Sequence, residues 1–334
     1  MRSGFARGGL CRAALRFFPI VLLPFVASAL PAHAQQKYPD RPIRLVVPFN
    51  AGGATDVIAR VVSVPLDEVL GQSIVIENRA GAGGNLGAAV VARADPDGYT
   101  LLLASSGVIA SPALYKTLTY DVFKDLAPIA ELATSTNIIV ADPNSSIKTI
   151  ADMLAQARAS PGKLNYASPG TGTTPQLAME LLELRAGVNI THVVYTGAAP
   201  AMQAIMAGTL ELGSMALSNI HAQVKAGTLR GLAVTGTERW HDLPDIPTVE
   251  QSGFADFDFE TAFILFAPAG TSGDIIARLS KEVIATLQRP GVRDRLQNAG
   301  LAVLARGPDA LKARLVREVP IYKDIVARAG IPVN

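Results

Sequence analysis

The sequence predicts an α/β protein of two lobes, and three observations carry that expectation. Strand-like apolar runs alternate with helix-periodic segments along almost the whole chain beyond residue 34, which is the pattern of parallel sheets wrapped by helices. Several of the strand-like runs end in small-residue loops that lead into helices. Two apolar segments, residues 137–141 and the Phe-rich stretch 257–267, are suited to cross between lobes, the second following the irregular run Asp242-Leu-Pro-Asp-Ile-Pro-Thr248. Two crossings make one lobe discontinuous, so the expected division is residues 35–138 plus 261–334 in one lobe and 139–260 in the other. Ligands of open α/β sheets bind beyond the carboxyl ends of strands, and two such lobes face each other across a cleft.

Residues 1–34 stand outside the fold. Arg2, Arg7, Arg12 and Arg16 precede an apolar run over residues 17–30, and Ala32-His-Ala34 supplies a small-x-small cleavage site before Gln35. This is the pattern of a secretory signal peptide. The run falls short of the roughly 20 residues a membrane span needs and contains Pro19 and Pro24, while Cys11 lies before it and not at its end, which removes a lipoprotein reading.

The first element beyond it is Pro42-Ile-Arg-Leu-Val-Val-Pro-Phe-Asn-Ala-Gly-Gly-Ala-Thr-Asp56. Its nearly continuous aliphatic part suits a strand buried on both faces. Gly52 and Gly53 let the backbone turn, and Val57, Ile58, Val61 and Val62 recur at helical spacing. Short buried strands follow at residues 72–77 and 99–104, with a helix at 86–92 reached through Gly81-Ala-Gly-Gly84. Thr149 caps a helix carrying Ile150, Met153, Leu154 and Ala157 on one face, stopped by Pro161-Gly162. Strand, loop and helix then recur as 164–167, 168–174 and 175–184, and again as 192–195, 196–199 and 200–207. A strand at 210–215, a helix at 219–225 and a strand at 229–235 complete the series.

Composition narrows the function. The chain has 30 Lys+Arg and 28 Asp+Glu; four arginines leave with the signal, and the remaining 26 against 28 give a net charge of −2, which removes the main driving force for nucleic acid binding. The only cysteine is Cys11, so the mature part has no disulfide, thiol nucleophile or thiolate ligand. His192, His221 and His241 lie at no metal-ligand spacing, and no Gly-x-Ser-x-Gly elbow is present. His192 suits a satisfied core position in its strand, and His241 beside Trp240 suits the surface. Gly81-Ala-Gly-Gly-Asn-Leu-Gly87 fails as a dinucleotide fingerprint because Leu86 stands at the third glycine position. Glu77-Asn-Arg79 suits a structural ion pair. No cofactor and no metal is expected.

Five strand-ending loops share one composition: residues 48–56, 104–111, 167–175, 195–200 and 213–219 contain no Lys or Arg, and only Asp56 is acidic. If they converge on an anion, backbone N–H groups and helix N-termini must meet its charge, together with the hydroxyls of Thr55, Ser105, Ser106, Ser168, Thr171, Thr173 and Thr174. Each loop taken alone is better served by ordinary turn chemistry, and it is the composition shared by all five that shifts the balance toward a site. Asp56 either steadies the first helical turn or orients a water or proton of a ligand; a bare carboxylate would repel an anion, which favours the first role.

The run Tyr38-Pro-Asp-Arg-Pro-Ile-Arg-Leu-Val-Val-Pro-Phe49 with Ala51-Gly-Gly-Ala-Thr-Asp56 resembles the opening signature of the Bug, or tripartite tricarboxylate transporter, substrate-binding proteins. Val75-Ile-Glu-Asn-Arg-Ala-Gly-Ala-Gly-Gly-Asn-Leu-Gly87, Pro96-Asp-Gly-Tyr-Thr100, Leu164-Asn-Tyr-Ala-Ser168, Tyr195-Thr-Gly-Ala-Ala-Pro200, Leu229-Arg-Gly-Leu-Ala-Val-Thr235, Asp245-Ile-Pro-Thr248 and Phe266-Ala-Pro-Ala-Gly270 continue it in order across the mature chain. The resemblance implies a type II-like periplasmic binding protein, two α/β lobes joined by crossing hinge strands, closing on a small carboxylate. It implies that one ligand carboxylate is held, partly through water, by Phe49, Ala51, Gly52, Gly53, Thr55 and Asp56, by Ser168, Gly170, Thr171, Thr173 and Thr174, and by Thr196, Gly197 and Ala198, with Ser105 and Ser106 beside them. At the other end of the ligand, Met215 stands where many relatives carry Asp, and Ala262 followed by Phe263 where many carry Trp. Loss of that Asp implies an acid without a positive charge, such as a di- or tricarboxylate or an aromatic acid. Pro65 is expected to kink the first helix. The implied protein is a monomeric, non-catalytic periplasmic receptor serving membrane transporter subunits or a sensor kinase; an enzyme on the same scaffold is the rival class.

Overall fold

The computed structural model describes residues 38–333; the expected signal segment lies outside them. The N-terminal unit is a βαβ arrangement. Strand β1 (Ile43–Val47) sends Val46 to one apolar layer and Ile43, Leu45 and Val47 to another, as burial on both faces requires. It pairs in parallel with β2 (Ile74–Asn78) and β3 (Thr100–Ser105). Helix α1 (Ala54–Leu70) closes on Gly71 at φ +70° and continues as one 17-residue helix with Pro65 inside it. A short 3-10 turn (Ala82–Gly84) leads into α2 (Asn85–Ala92), and α3 (Gly107–Leu114) follows β3 almost directly.

Strand β4 (Leu126–Ala141) ties the molecule together. Over its first part it pairs antiparallel with β9 (Glu260–Pro268), from Leu126 opposite Pro268 to Thr136 opposite Glu260. Over Asn137 to Ala141 its partners become β7 (Leu212–Ala216) and β8 (Arg230–Val234), also antiparallel. Beyond β7 lie β5 (Asn165–Ser168) and β6 (Thr191–Val194), in parallel. The sheet order is β2-β1-β3-β9-β4-β7-β5-β6, with β8 and β10 (Ala302–Arg306) both on β4. Two α/β lobes are thus joined by crossing strands. The expectation of parallel sheets holds for the outer strands only; every pairing of β4 and β9 is antiparallel, because strands that pass between lobes and return must oppose each other.

At the crossing a buried polar knot replaces apolar packing. Asn137, fully buried, donates from its backbone N–H to Thr235 Oγ1 (3.0 Å) and from Nδ2 to the Phe259 carbonyl (2.7 Å), while Thr261 Oγ1 donates to Asn137 Oδ1 (2.8 Å). Each polar atom there has a partner, as burial demands.

Helices cover both faces. α4 (Ile150–Ala159) starts at the expected Thr149, whose side chain and that of Asp152 form a reciprocal capping box. α5 (Thr174–Ala186), α6 (Ala198–Met206) and α7 (Leu217–Lys225) wrap the second lobe, and α8 (Gly273–Leu287) and α9 (Pro290–Asn298) pack with α1 on the first. The last helix, α10 (Pro308–Arg328), buries Leu311, Leu315, Val319, Tyr322 and Ile325 at helical spacing against α3, β4 and α5, so one stripe touches both lobes. No helix among the described residues is long and apolar enough to cross a membrane.

Candidate functional site

The first-lobe part of the site is built around the start of α1. Gly53 is its N-cap and no side chain caps the turn, so the N–H groups of Ala54, Thr55 and Asp56 have no intrahelical acceptor. Ala51 and Gly52 are exposed, and Phe49 is half-buried. Asp56 lies beneath this loop and not on it: 2% exposed, it accepts from the Gly52 N–H (2.9 Å), Arg60 Nε (2.8 Å) and Nη2 (3.1 Å), and Asn78 Nδ2 (3.1 Å). Burial pushes its carboxyl up, but the hydrogen bonds from Arg60, Gly52 and Asn78 and the Arg60 charge outweigh it and hold the group below the usual carboxylate range. Asp56 is therefore an anion whose lone pairs are spent on holding the loop, in keeping with its steadying role. Asn78 adds a second brace by donating to the Phe49 carbonyl (3.0 Å). Its neighbours Glu77 and Arg79 form the expected ion pair.

The neighbouring loops touch one another in turn. Gly84, at φ +101°, lies under the Phe49 ring, where a Cβ would come within 3.2 Å of Phe49 Cζ. A Cβ on Gly107 would lie 3.6 Å from the Gly83 carbonyl, which brings the start of α3 beside the same turn. Ser105 is half-buried there, whereas Ser106 is fully buried, its N–H donating to the Ala262 carbonyl (2.8 Å). Ser106 Oγ also lies 3.0 Å from Thr174 Oγ1, joining the start of α3 in one lobe to the start of α5 in the other. A Cβ on Gly172 would overlap Leu114 Cδ1, so the loop before α5 abuts α3 directly.

Within the second lobe, Ser168 is fully buried, and its Oγ lies 2.6 Å from His192 Nε2 and accepts from the Gly170 N–H (3.3 Å). Thr173 Oγ1 donates to the Gly170 carbonyl (2.8 Å). The Gly197 N–H donates to the Pro169 carbonyl (2.9 Å), placing Thr196, Gly197 and Ala198 beside this loop at the start of α6. Helices α3, α5 and α6, like α1, begin without a side-chain cap. The same is true of α9 and α10, which start elsewhere, so it is the meeting of loops and not the missing caps that defines a site. The hydroxyls of Thr55, Ser105, Thr171 and Thr196 make no hydrogen bond among the described residues and belong to no fully buried, unpartnered group.

Two expected site residues are placed differently. Met215 is fully buried with Ile138, Ala201 and Ile205 beneath α6, and Phe263 is 2% exposed in the layer under α1 and α8. Both faces of β7 and β9 are covered, so the side chains at these positions point into packed layers. The fifth expected loop is scarcely a loop, since β7 ends at Ala216 and α7 begins at Leu217. Residues the expected site did not include are Asn78, Gly84, Gln176 and His192, the last of which the sequence suggested as a core histidine and the structure places half-buried against Ser168. Asn78 stood within the motif 77–79, but its partner Asp56 is remote in sequence.

His221 and His241 stay apart from these loops. His221 Nε2 lies 2.9 Å from Asp242 Oδ1, and Lys225 Nζ 2.7 Å from Asp242 Oδ2; although burial opposes it, these partners lower the Asp242 carboxyl to about 2. His241 is exposed, as expected. Among the described residues no group of three or more His, Cys, Asp or Glu is arranged to hold a metal ion.

With this geometry in hand, comparison with known proteins is specific. The profile described as "Tripartite tricarboxylate transporter family receptor" matches residues 58–330. Periplasmic binding protein BugD is 33% identical and superimposes with a TM-score of 0.81 over 88% of this chain and 99% of its own. Rpa4515 of R. palustris, solved with adipate, is 33% identical, TM-score 0.83, covering 88% of this chain and 99% of its own. MatC of Rhodopseudomonas palustris, solved with malate, is 32% identical, TM-score 0.80, covering 86% of this chain and 100% of its own. This chain belongs to the tripartite tricarboxylate transporter receptor family, whose members are periplasmic solute-binding proteins.

Proposed function

We propose that this protein is a non-catalytic receptor that holds a small carboxylate between its lobes and delivers it intact to a tripartite tricarboxylate-type membrane transporter. The observation that carries the reading is the meeting of four uncapped helix starts, α1, α3, α5 and α6, through loops without a single Lys or Arg. Backbone N–H groups, helix dipoles and the hydroxyls of Thr55, Ser105, Thr171 and Thr196 neutralise a carboxylate without a fixed countercharge, which suits reversible release. Phe49, Ala51, Gly52 and Gly53 form the first-lobe cradle, and residues 168–174 and 196–198 the second. The adipate and malate bound to relatives support the ligand class.

The ligand carries no ammonium group. Asp56 is the only acidic residue of the four loops, and both of its oxygens are already engaged, so no carboxylate is left there to meet an ammonium. The lobe boundaries follow residues 138 and 261, supported by the change of partner along β4 after Thr136 and by the start of β9 at Glu260. The mature, monomeric protein starts at Gln35 in the periplasm; intact-mass measurement of the exported form should give a chain beginning there, and a chain retaining residues 1–34 overturns this.

A thermal-shift screen of malate, adipate, citrate, benzoate and arginine tests the function. A ligand at about 100 times its Kd stabilises by about 2.7 kcal/mol, so at least one of the four acids without an ammonium group should raise Tm by several degrees. Tighter binding of arginine than of every acid overturns the ligand class, and chemical conversion of the bound acid overturns the receptor.

A further inference from the structure

Loop 168–173 of the second lobe is intrinsically hard to order. It carries glycines at φ +157° (Gly170) and +76° (Gly172), and such residues lose more conformational freedom on folding than any others. Its two ends are nevertheless gripped by side chains outside the candidate site. At the first end, His192 Nε2 lies 2.6 Å from Ser168 Oγ, which bonds in turn with Gly170. At the other, the Gly172 N–H donates to Gln176 Oε1 at 2.6 Å, and Gln176 is 2% exposed.

These grips are joined behind the loop. Gln176 Nε2 donates to Glu180 Oε1 (3.3 Å), Tyr166 OH donates to the same oxygen (2.9 Å), and the Tyr166 ring stacks on His192 with centroids 4.9 Å apart and planes 24° from parallel. The circuit therefore runs from His192 through Ser168 and the loop to Gln176, Glu180 and Tyr166, and back to His192.

We propose that His192 and Gln176 are positioning residues of the carboxylate site, holding loop 168–173 in its ligand-receiving shape before the ligand arrives; this rests on the receptor reading above. A site whose donors are backbone N–H groups depends on loop shape more than one that uses a charged side chain, because a displaced N–H cannot reach back as an arginine can. Burial pushes the His192 imidazole down to about 4, so at neutral pH it is uncharged and its Nε2 is able to accept from Ser168. It thus orders the loop without placing a cation beside it.

The test uses the exported chain and whichever of malate or adipate the wild type binds, by titration calorimetry, with amide hydrogen exchange of Gly170 and Gly172 in the ligand-free protein. His192→Phe keeps the stack on Tyr166 and loses the Nε2 contact; Gln176→Leu loses the acceptor for Gly172. Each should weaken binding at least tenfold and speed exchange at the loop with little change in ligand-free Tm, while His192→Gln, which can bond Ser168, should recover most of the affinity. Binding within twofold of wild type in both Phe and Leu variants overturns the proposal while leaving the receptor reading intact. Wild-type failure to bind any carboxylate overturns the receptor reading and this inference with it. Should the variants not fold, unprotected exchange at Gly172 in the ligand-free wild type is enough to reject it.

Discussion

A cradle made of backbone is only as good as the side chains that shape it, and Asp56 illustrates the point. Its carboxylate sits under the cradle and converts three donors, Gly52, Arg60 and Asn78, into one rigid turn. Asp56→Ala should lower carboxylate affinity at least tenfold and destabilise the fold by about 1–3 kcal/mol at pH 7, measured by calorimetry and urea denaturation. The pH dependence has a definite sign. The folded carboxyl titrates below its unfolded value, so its contribution is complete above the ordinary carboxylate range and is lost as pH falls through the lower folded value. The gap between wild type and Asp56→Ala should therefore narrow below about pH 4; a constant gap down to pH 2 would show that the carboxylate charge plays no part. Local composition announced the loop, whereas its braces escaped detection because Asn78 and Asp56 meet only after β1 and β2 have paired.

Among the elements, β4 and α10 are fastened by charge. Glu131, 1% exposed in the middle of β4, is paired with Arg314 of α10, which also pairs with Glu318. Removing Glu131 leaves the buried Arg314 with Glu318 as its remaining partner, at a cost of about 1–3 kcal/mol. Glu131→Ala should lose about that much in urea denaturation, and Glu131→Ala with Arg314→Met should regain a large part; equal losses in single and double variants would mean that the charges are not coupled. The same pair explains why the first half of β4 was not recognised as strand. Pro128 sits at a register shift and Glu131 is polar, so the segment lacks an apolar pattern until its distant partners are known. Helix α4, by contrast, was legible from Thr149, the apolar face Ile150, Met153, Leu154 and Ala157 and the stop at Pro161-Gly162, because all of these signals are local. α3 and β10 escaped for the opposite reasons, one apolar nearly all round and interrupted by Pro112, the other short and half-buried.

At the scale of the molecule, two lobes were readable from alternation and from the apolar segments 137–141 and 257–267, since topology of this kind leaves a periodic trace. Which face of a crossing or inner strand meets the cleft was not readable. Met215 and Phe263 lie in strands covered on both sides, where alternation carries no information about direction. The crossing has a further consequence for how the chain comes into being. The first-lobe half of β4 finds its partner β9 only after the entire second lobe has been made, for Leu126 must wait for Pro268. Until then a long strand has an open edge, a template for pairing with other chains. A chain stopped before residue 260 would thus be a half-finished sheet, with the first-lobe half of β4 still lacking β9.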